Sequence, residues 1–237
     1  MNFLKNIFKS NLDNASKILT ESQLPNKFLN ESYSQHGEDN ILFCLLNYKN
    51  SGFFVDVGAH HPQRFSNTYK FYKMGYRGIN IDPMPNIKKL FDTERPEDIN
   101  IEVGISDKKD FLDYYMFEET ALNSFDLNTV EYFKKIYPDC KMLGTKKIEL
   151  LRLDEILDEN LPQNTKIDFL NIDCEGFDDK VLSSNNWNKY KPKIIIFETG
   201  QLNVRQILEE KSTKMLEDLG YEFVAKTVLS SFFALKD

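Results

Sequence analysis

The chain has little cysteine and little histidine, with only three residues of each among 237. Cys44, Cys140 and Cys174 are widely separated, and no Cys-x-x-Cys pair occurs. The sequence therefore predicts neither a disulfide framework nor a thiolate metal site. Unpaired cysteines are typical of a reducing compartment, so we expect a cytoplasmic protein.

Concentrated positive charge is also missing from this sequence. The net charge is −7, and no stretch concentrates lysine or arginine. This composition argues against a nucleic-acid-binding function.

Long hydrophobic runs are missing as well. The longest, "ILFCLL" at 41–46, is far too short to cross a bilayer, so we expect no transmembrane segment. The first residues, "MNFLKNIFKSNLDNASKILTESQ", lack the continuous apolar region of a signal peptide. Their helical spacing of apolar residues predicts a helical extension over 1–33. Docking on the rest of the protein is favoured over a peripheral membrane role.

No internal repeat or long linker divides the remaining chain, so we expect one domain over 34–237 with an irregular insertion near 117–147. Strand-like and helix-like segments alternate along it, which predicts an α/β fold with a doubly wound, mostly parallel sheet. The predicted strands cover 52–58, 76–82, 99–107, 111–117, 166–176 and 192–200, with a closing hairpin at 221–235. The main predicted helices cover 66–75, 126–137, 177–187 and 204–220.

Acidic residues stand at the ends of several predicted strands, namely Asp56, Asp82, Asp173 and Glu198. Ligands of open α/β sheets bind outside the carboxyl ends of the strands, so these acids are candidate site residues. Asp82 follows Asp56 by 26 residues, near the spacing of an acid that accepts both hydroxyls of a ribose. The alternative for Asp82 is a turn-forming role before Pro83.

Glycines are too few near the first strand for a dinucleotide site. Such a site needs Gly-x-Gly-x-x-Gly, but Gly58 has no further glycine until Gly75. A lone Asp-x-Gly loop suits S-adenosylmethionine, whose amino-acid tail can meet Asp56 and the loop backbone. A nicotinamide-dependent oxidoreductase is the enzymatic alternative, and a non-catalytic adenosyl-binding protein is the other.

Several ordered motifs resemble the FkbM family of S-adenosylmethionine-dependent methyltransferases: "SQHGEDNIL" (34–42), "FVDVGAHHP" (54–62), "SNTYKFY" (66–72), "GINIDP" (78–83), "RPEDINI" (95–101) and "IDFLNIDCEGFDDKVL" (167–182). The resemblance implies a class I methyltransferase (Rossmann-like) fold, with seven strands of which the last is antiparallel. It also implies O-methylation, often of a sugar in polysaccharide or natural-product pathways. The acceptor would be a small sugar or a nucleotide-linked sugar.

Carried onto this chain, the resemblance implies eight cofactor-site residues. Asp56 and Gly58 would line the methionine tail, Asp82 the ribose, and Ile105 and Ser106 the adenine. The segment before the domain would close over the cofactor or substrate with Gln35, Glu38 and Asp39. The alternative for Glu38 and Asp39 is a role as first-turn acids of a helix.

The chain departs from the family at His60-His61-Pro62, where many members have Asn-x-Gly, and so resembles a double-histidine subgroup. We expect His60, His61, Asp173 and Glu175 to be catalytic. An extended loop would direct the two histidines to opposite sides, and we favour His61 as the residue that faces the reaction.

A divalent metal is a second way to activate a hydroxyl. His61, Asp173 and Glu198 would form a nitrogen and oxygen ligand set suited to Mg²⁺, Mn²⁺ or Fe²⁺. Catalysis by a general base alone is the alternative. The sequence leaves the oligomeric state open, a homo-oligomer included.

Overall fold

The computed structural model describes residues 29–236. Most of the helical extension predicted over 1–33 falls on residues outside this range, and the described residues 29–33 are not helical. The strands are β1 (Phe53–Val57), β2 (Arg77–Asp82), β3 (Ile99–Glu102), β4 (Gly104–Ile105), β5 (Asp110–Phe117), β6 (Met142–Leu151), β7 (Phe169–Ile172), β8 (Ile194–Glu198), β9 (Tyr221–Lys226) and β10 (Ser230–Leu235).

The α-helices are α1 (Glu38–Leu45), α2 (Tyr69–Lys73), α3 (Ile87–Glu94), α4 (Leu127–Ile136), α5 (Leu153–Asn160), α6 (Asp178–Ser183), α7 (Val204–Glu209) and α8 (Lys211–Asp218). A 3₁₀ turn spans Thr120–Leu122. None of these helices combines the length and the apolar character needed to span a bilayer.

The principal sheet has seven strands in the order β3-β2-β1-β7-β8-β10-β9. The pairings from β3 to β8 are parallel, whereas β10 runs antiparallel to both β8 and β9. The predicted α/β class, with a mostly parallel sheet of seven strands and an antiparallel last strand, is therefore confirmed.

Apolar residues cover both faces of this sheet. Val55 and Val57 of β1 belong to one hydrophobic cluster, while Phe54, which precedes Val55, belongs to another with Phe169. Successive side chains of a strand point to opposite faces, so this division places one cluster on each side. Because both faces are buried, the strands are nearly continuous apolar runs, and only their ends can carry polar side chains toward a ligand.

A second sheet of three strands, in the order β4-β6-β5, lies beside the principal one. The prediction of one continuous strand over 99–107 was wrong. β3 ends at Glu102, and β4 pairs with β6 instead. The predicted insertion contains the 3₁₀ turn, α4 and the first part of β6.

The prediction of one continuous helix over 204–220 was also wrong, because this segment forms two helices, α7 and α8. The backbone breaks at Glu210, which is extended with ψ 148°. The break allows Ile207 of α7 and Leu216 of α8 to join the same hydrophobic cluster. The apolar pattern alone could not show this break because both helices keep their buried face toward one core.

Candidate active site

A cleft of about 1100 Å³, counting the open space at its mouth, lies at the carboxyl ends of β1, β2 and β7. The segments that follow these strands line it, together with residues before α1 and residues around the 3₁₀ turn. Its size is that of a site for a small molecule or cofactor. The cleft therefore lies where a parallel sheet is expected to bind its ligand.

Asp56, near the end of β1, is buried and held by two hydrogen bonds. Thr68 donates its hydroxyl to Oδ2 at 2.7 Å, and the side-chain amide of Asn171 donates to Oδ1 at 2.8 Å. Burial raises the pKa of Asp56, and these two hydrogen bonds oppose that rise. The carboxylate is thus fixed in place against the cleft that it lines.

Gly58 makes a close approach that no other residue could make. Its φ is +80°, and a Cβ atom built on it would lie 1.8 Å from the backbone oxygen of Asp173. A side chain here would therefore both strain the backbone and collide with the segment after β7. The glycine thus allows the ends of β1 and β7 to pack backbone against backbone beside the cleft.

Asp82, at the end of β2, accepts two backbone hydrogen bonds. The N–H of His60 donates to Oδ2 at 2.8 Å and the N–H of Met84 donates to Oδ1 at 2.8 Å. Burial raises the pKa of Asp82 to about 6, even though both bonds favour the ionised form. Each oxygen of a carboxylate can accept more than one bond, so Asp82 can also accept hydroxyls of a ligand in the cleft.

The sequence predicted an extended loop around the two histidines, but the observed loop is not extended. His60 has a φ of 52°, in the left-handed region, because its N–H turns back to Asp82. The two rings lie 6.3 Å apart with a tilt of 51° between them. Alternation of side chains along a strand therefore does not apply to this pair.

The structure places His60, rather than His61, against the cleft. His60 lines the cleft, and its Nε2 atom lies 2.9 Å from the Thr120 hydroxyl. The Nδ1 atom of His61 instead accepts the backbone N–H groups of Gln63 and Arg64, at 3.1 and 3.0 Å. Burial lowers the pKa of both rings, that of His60 to about 4, so His60 is neutral at physiological pH.

Three carboxylates converge after β7 and at the end of β8: the ligating atoms of Asp173, Glu175 and Glu198 lie within 4.8 Å of one another. His61 is not brought into this group, which corrects the ligand set proposed from the sequence. Glu175 takes its place because the backbone turns sharply there, with a φ of 45°. An all-oxygen set of this kind suits Mg²⁺ or Mn²⁺.

Burial and repulsion by neighbouring acids raise the pKa values of these three carboxyl groups. Burial, followed by the charge of Glu198, raises the pKa of Asp173 well above its ordinary value. Burial and neighbouring acids raise the pKa of Glu175 to about 9 and that of Glu198 to about 7. Like charges that converge in a buried place favour retention of protons or binding of a cation.

The segment that leads into the first turn of α1 contains residues that face the cleft and one that does not. Gln35 and Glu38 line the cleft, and Glu38 also accepts the hydroxyl of Thr227 at 2.6 Å. Asp39 is buried elsewhere, where its two oxygens accept the hydroxyl of Ser32 and the N–H of Tyr33. Asp39 therefore organises this segment and does not lie at the cleft.

A similar division separates the two residues predicted to lie near adenine. Ile105 lines the cleft. Ser106 is buried away from it, with its N–H bonded to the oxygen of Leu151 and its hydroxyl bonded to Asp107. The apolar wall of this part of the cleft is completed by Val103.

Two residues at the cleft escaped sequence reasoning. Asn171, a polar residue within the apolar run "FLNI" of β7, could have been recognised because a buried amide needs partners. Thr120 carries no comparable signal, since its contact with His60 joins residues 60 positions apart.

Comparison with known families identifies the family to which the chain belongs. A family model described as "Methyltransferase FkbM domain" matches residues 56–223, well over half of the chain. The chain belongs to the FkbM methyltransferase family. It is therefore a methyltransferase, and S-adenosylmethionine is the expected methyl donor. This family membership replaces the nicotinamide-dependent and non-catalytic alternatives.

Solved structures similar to this FkbM methyltransferase are distant in sequence. One is a TehB-like SAM-dependent methyltransferase from Corynebacterium glutamicum, with 11% identity, a TM-score of 0.40, and coverage of 85% of this chain and 88% of that chain. Another is a methyltransferase from Geobacter sulfurreducens, with 14% identity, a TM-score of 0.42, and coverage of 98% and 97% respectively. No curated protein matches the chain.

The cleft of this FkbM methyltransferase fits the expected cofactor. Gly58 lines the cleft without a side chain, so a ligand can approach the backbone of this loop. Asp82 offers a carboxylate to hydroxyl groups, and Val103 and Ile105 offer an apolar wall to a flat ring. These are the complementary chemistries that an amino-acid tail, a ribose and an adenine require.

Proposed function

We propose that this protein methylates a hydroxyl of a sugar or sugar-derived small molecule, with S-adenosylmethionine as the donor. One observation carries the proposal. Candidate acid–base residues, namely His60, Asp173 and Glu175, line the same cleft as the cofactor-type residues Asp56 and Asp82. A hydroxyl bound between them would have a methyl donor on one side and a base on the other.

The cofactor would be held by residues at the ends of β1 and β2. The backbone around Gly58 and the fixed carboxylate of Asp56 would receive the amino-acid tail. Asp82 would accept the ribose hydroxyls, and Ile105 would pack against the adenine. Gln35, before α1, and Glu38, the first residue of α1, would close the cleft. This assignment rests on which side chains line the cleft, so Asp39 and Ser106 are left out of it.

The acceptor oxygen must lose its proton as its bond to the methyl group forms. When bound, S-adenosylmethionine supplies an electrophilic methyl group whose bond to sulfur breaks in the same step. His60 is the base that we favour, because it is neutral near pH 7 and therefore able to accept a proton. Thr120, bonded to the ring, would hold His60 toward the acceptor.

A divalent cation at Asp173, Glu175 and Glu198 is a second way to assist this step. The three carboxylates provide hard oxygen ligands, and a bound cation would remove the repulsion that raises their pKa values. A cation there would lower the pKa of a hydroxyl that it touches. In its absence, one of these acids would serve as an additional proton acceptor when ionised.

The sugar class and a role in surface-polysaccharide synthesis follow from family resemblance. A cytoplasmic setting is supported by the free thiols of Cys44, Cys140 and Cys174. A cytoplasm also supplies S-adenosylmethionine to the enzyme. A homo-oligomer is compatible with this function.

The decisive experiment offers the purified full-length protein isotope-labelled S-adenosylmethionine and a panel of sugars, glycosides and nucleotide-linked sugars. We expect an acceptor-dependent gain of one labelled methyl group, placed on oxygen by tandem mass spectrometry. Transfer to nitrogen or sulfur in every productive acceptor would overturn the proposal. So would binding of S-adenosylhomocysteine without methylation of any hydroxyl across a broad panel.

A further inference from the structure

The charge of the cleft is one-sided. Among the residues that the structure describes, its lining includes five carboxylates and no lysine or arginine. The five are Glu38, Asp56, Asp82, Asp173 and Glu175. Whether or not its crowded acids are ionised, this lining offers an anion no lysine or arginine, and it therefore favours neutral or cationic ligands.

Basic groups at or near the cleft already contact other groups of the protein or are neutral. His36 lines the cleft, where its Nδ1 atom lies 3.8 Å from a carboxylate oxygen of Glu38. His60 is neutral near pH 7 because burial lowers its pKa to about 4. Arg64 makes two bonds of 2.8 Å to the carboxylate of Glu119. Arg95 is completely buried and ion-paired with Asp98, 2.8 Å away. Neither arginine is available to a ligand in its present contacts.

Lys226, which approaches Glu198, is also engaged. Its Nζ atom donates to the backbone oxygens of Gly200, at 3.1 Å, and Val228, at 3.2 Å. Burial lowers its pKa, and the charge of Glu198 opposes that effect. Lys226 is not among the residues that line the cleft.

Two helix N-termini beside the cleft, those of α1 and α6, are occupied by carboxylates of the chain itself. Free amides at a helix N-terminus are a common place for phosphate. At α1, however, Glu38 and Asp39 are buried in the first turn, and Glu38 accepts the N–H of His36 at 2.8 Å. At α6, Asp178 is buried and accepts the N–H of Cys174 at 3.4 Å.

From these contacts we infer that the acceptor enters the cleft as an uncharged glycoside or polyol, and not as a sugar phosphate or a sugar linked to a nucleoside diphosphate. The inference rests on the proposed function for the identity of the reaction. With no metal ion at Asp173, Glu175 and Glu198, a diphosphate would need cationic side chains or free amides, and the described cleft offers it carboxylates. S-adenosylmethionine is compatible with this cleft because its ammonium and sulfonium groups outweigh its single carboxylate.

The first test measures anion binding directly and needs no turnover. Full-length protein saturated with S-adenosylhomocysteine, in a buffer that contains a chelator, is titrated in a calorimeter with uridine diphosphate and, separately, with inorganic pyrophosphate. We expect no saturable binding in the cleft. Saturable binding that is lost in Ala121→Asp, which adds a negative charge to the cleft lining, would overturn the inference. Binding that is unchanged in Ala121→Asp lies elsewhere and leaves the inference standing.

The second test compares one sugar in three forms: a methyl glycoside, a 1-phosphate and a nucleoside diphosphate derivative. We expect kcat/KM to be at least about tenfold higher for the glycoside, because like charges brought together are costly. A preference for either phosphorylated form would overturn the inference while upholding methyl transfer to a sugar. Failure to methylate any form would count against the proposed function, and the calorimetric test would still decide the charge of the ligand.

Discussion

The Nε2 atom of His60 lies 2.9 Å from the Oγ1 atom of Thr120, and this contact joins two walls of the cleft. His60 belongs to the loop after β1, whereas Thr120 begins the 3₁₀ turn after β5. A second link reinforces the first, since Arg64 and Glu119 form a two-bond ion pair between the same segments. The position of the His60 ring therefore depends on a segment distant in sequence.

Replacement of His60 by Asn should lower kcat more than replacement of His61. Loss of a general base costs about 10²–10⁴-fold in rate, whereas an Asn at position 61 can still accept the loop N–H groups through its amide oxygen. Cofactor affinity should change little in either variant. Steady-state kinetics and calorimetry with S-adenosylhomocysteine provide the two measurements. A greater loss of kcat in His61→Asn would identify His61 as the general base. Wild-type rates in both variants would instead indicate that Asp173, Glu175 or Glu198 acts as the base.

Asp82→Asn should weaken binding of S-adenosylmethionine. Loss of a charged hydrogen-bond acceptor costs about 1.5–3 kcal/mol, or roughly tenfold to a hundredfold in Kd. Since the pKa of Asp82 is about 6, wild-type affinity should also fall as the pH drops through 6 and the carboxylate gains a proton. Glu102→Gln is the matched control, because Glu102 pairs with Asp82 in register and does not line the cleft. Unchanged affinity in a folded Asp82→Asn variant would remove Asp82 from the site.

Glu175→Gln should stabilise the protein without cofactor, and the gain should grow with pH. The folded-state pKa of Glu175, about 9, lies above its ordinary value of 4.5, so the folded state binds the extra proton. Stability from this group is complete below pH 4.5 and is lost as the pH rises toward 9. The variant should therefore match wild type near pH 4.5 and exceed it by at least about 1 kcal/mol at pH 8. Urea unfolding at the two pH values tests this, and a gain that is independent of pH would contradict it.

Mn²⁺ should bind at Asp173, Glu175 and Glu198 with affinity that rises with pH. Glu175 and Glu198 retain protons near neutral pH, so binding must release them. Asp173→Asn should weaken binding at least about tenfold, since even outer-shell changes at metal sites cost 10–100-fold. Glu149→Gln, outside the cluster, is the control. Calorimetry in buffers of different protonation enthalpy measures both effects. Full turnover in a preparation shown by elemental analysis to lack metal would leave catalysis to the general base.

Gly58→Ala should cost more stability than Gly75→Ala. Both glycines have a positive φ, so alanine at either position bears a strain of about 1–2 kcal/mol. Only Gly58 adds a collision, with the Asp173 oxygen, whereas no atom lies within 4 Å of a Cβ at Gly75. The Gly58 variant should also lose cofactor affinity while the Gly75 variant keeps it. Equal effects in the two variants would show that the close approach at Gly58 has no influence on folding or binding.

The sequence by itself determined the sheet and the edge that binds ligand. The apolar runs that contain Val55 and Leu170 had to be strands buried on both faces, because nothing polar interrupts them except near their ends. Parallel strands bring their carboxyl ends to one edge, so Asp56, Asp82 and Asp173 had to meet there. The lone Gly58 further separated this loop from a dinucleotide-binding one.

Only the tertiary structure decided which side chains beyond the strand ends face the cleft. Strand periodicity stops where the backbone turns, and the positive φ values of His60 and Glu175 reverse the directions that alternation predicts. Those turns depend on distant partners: the N–H of His60 is bonded to Asp82, and the oxygen of Glu175 accepts the hydroxyl of Ser124. The local pattern of polar and apolar residues indicates which face of a strand is buried. The direction of a loop side chain, however, depends on hydrogen bonds between segments that meet only after folding.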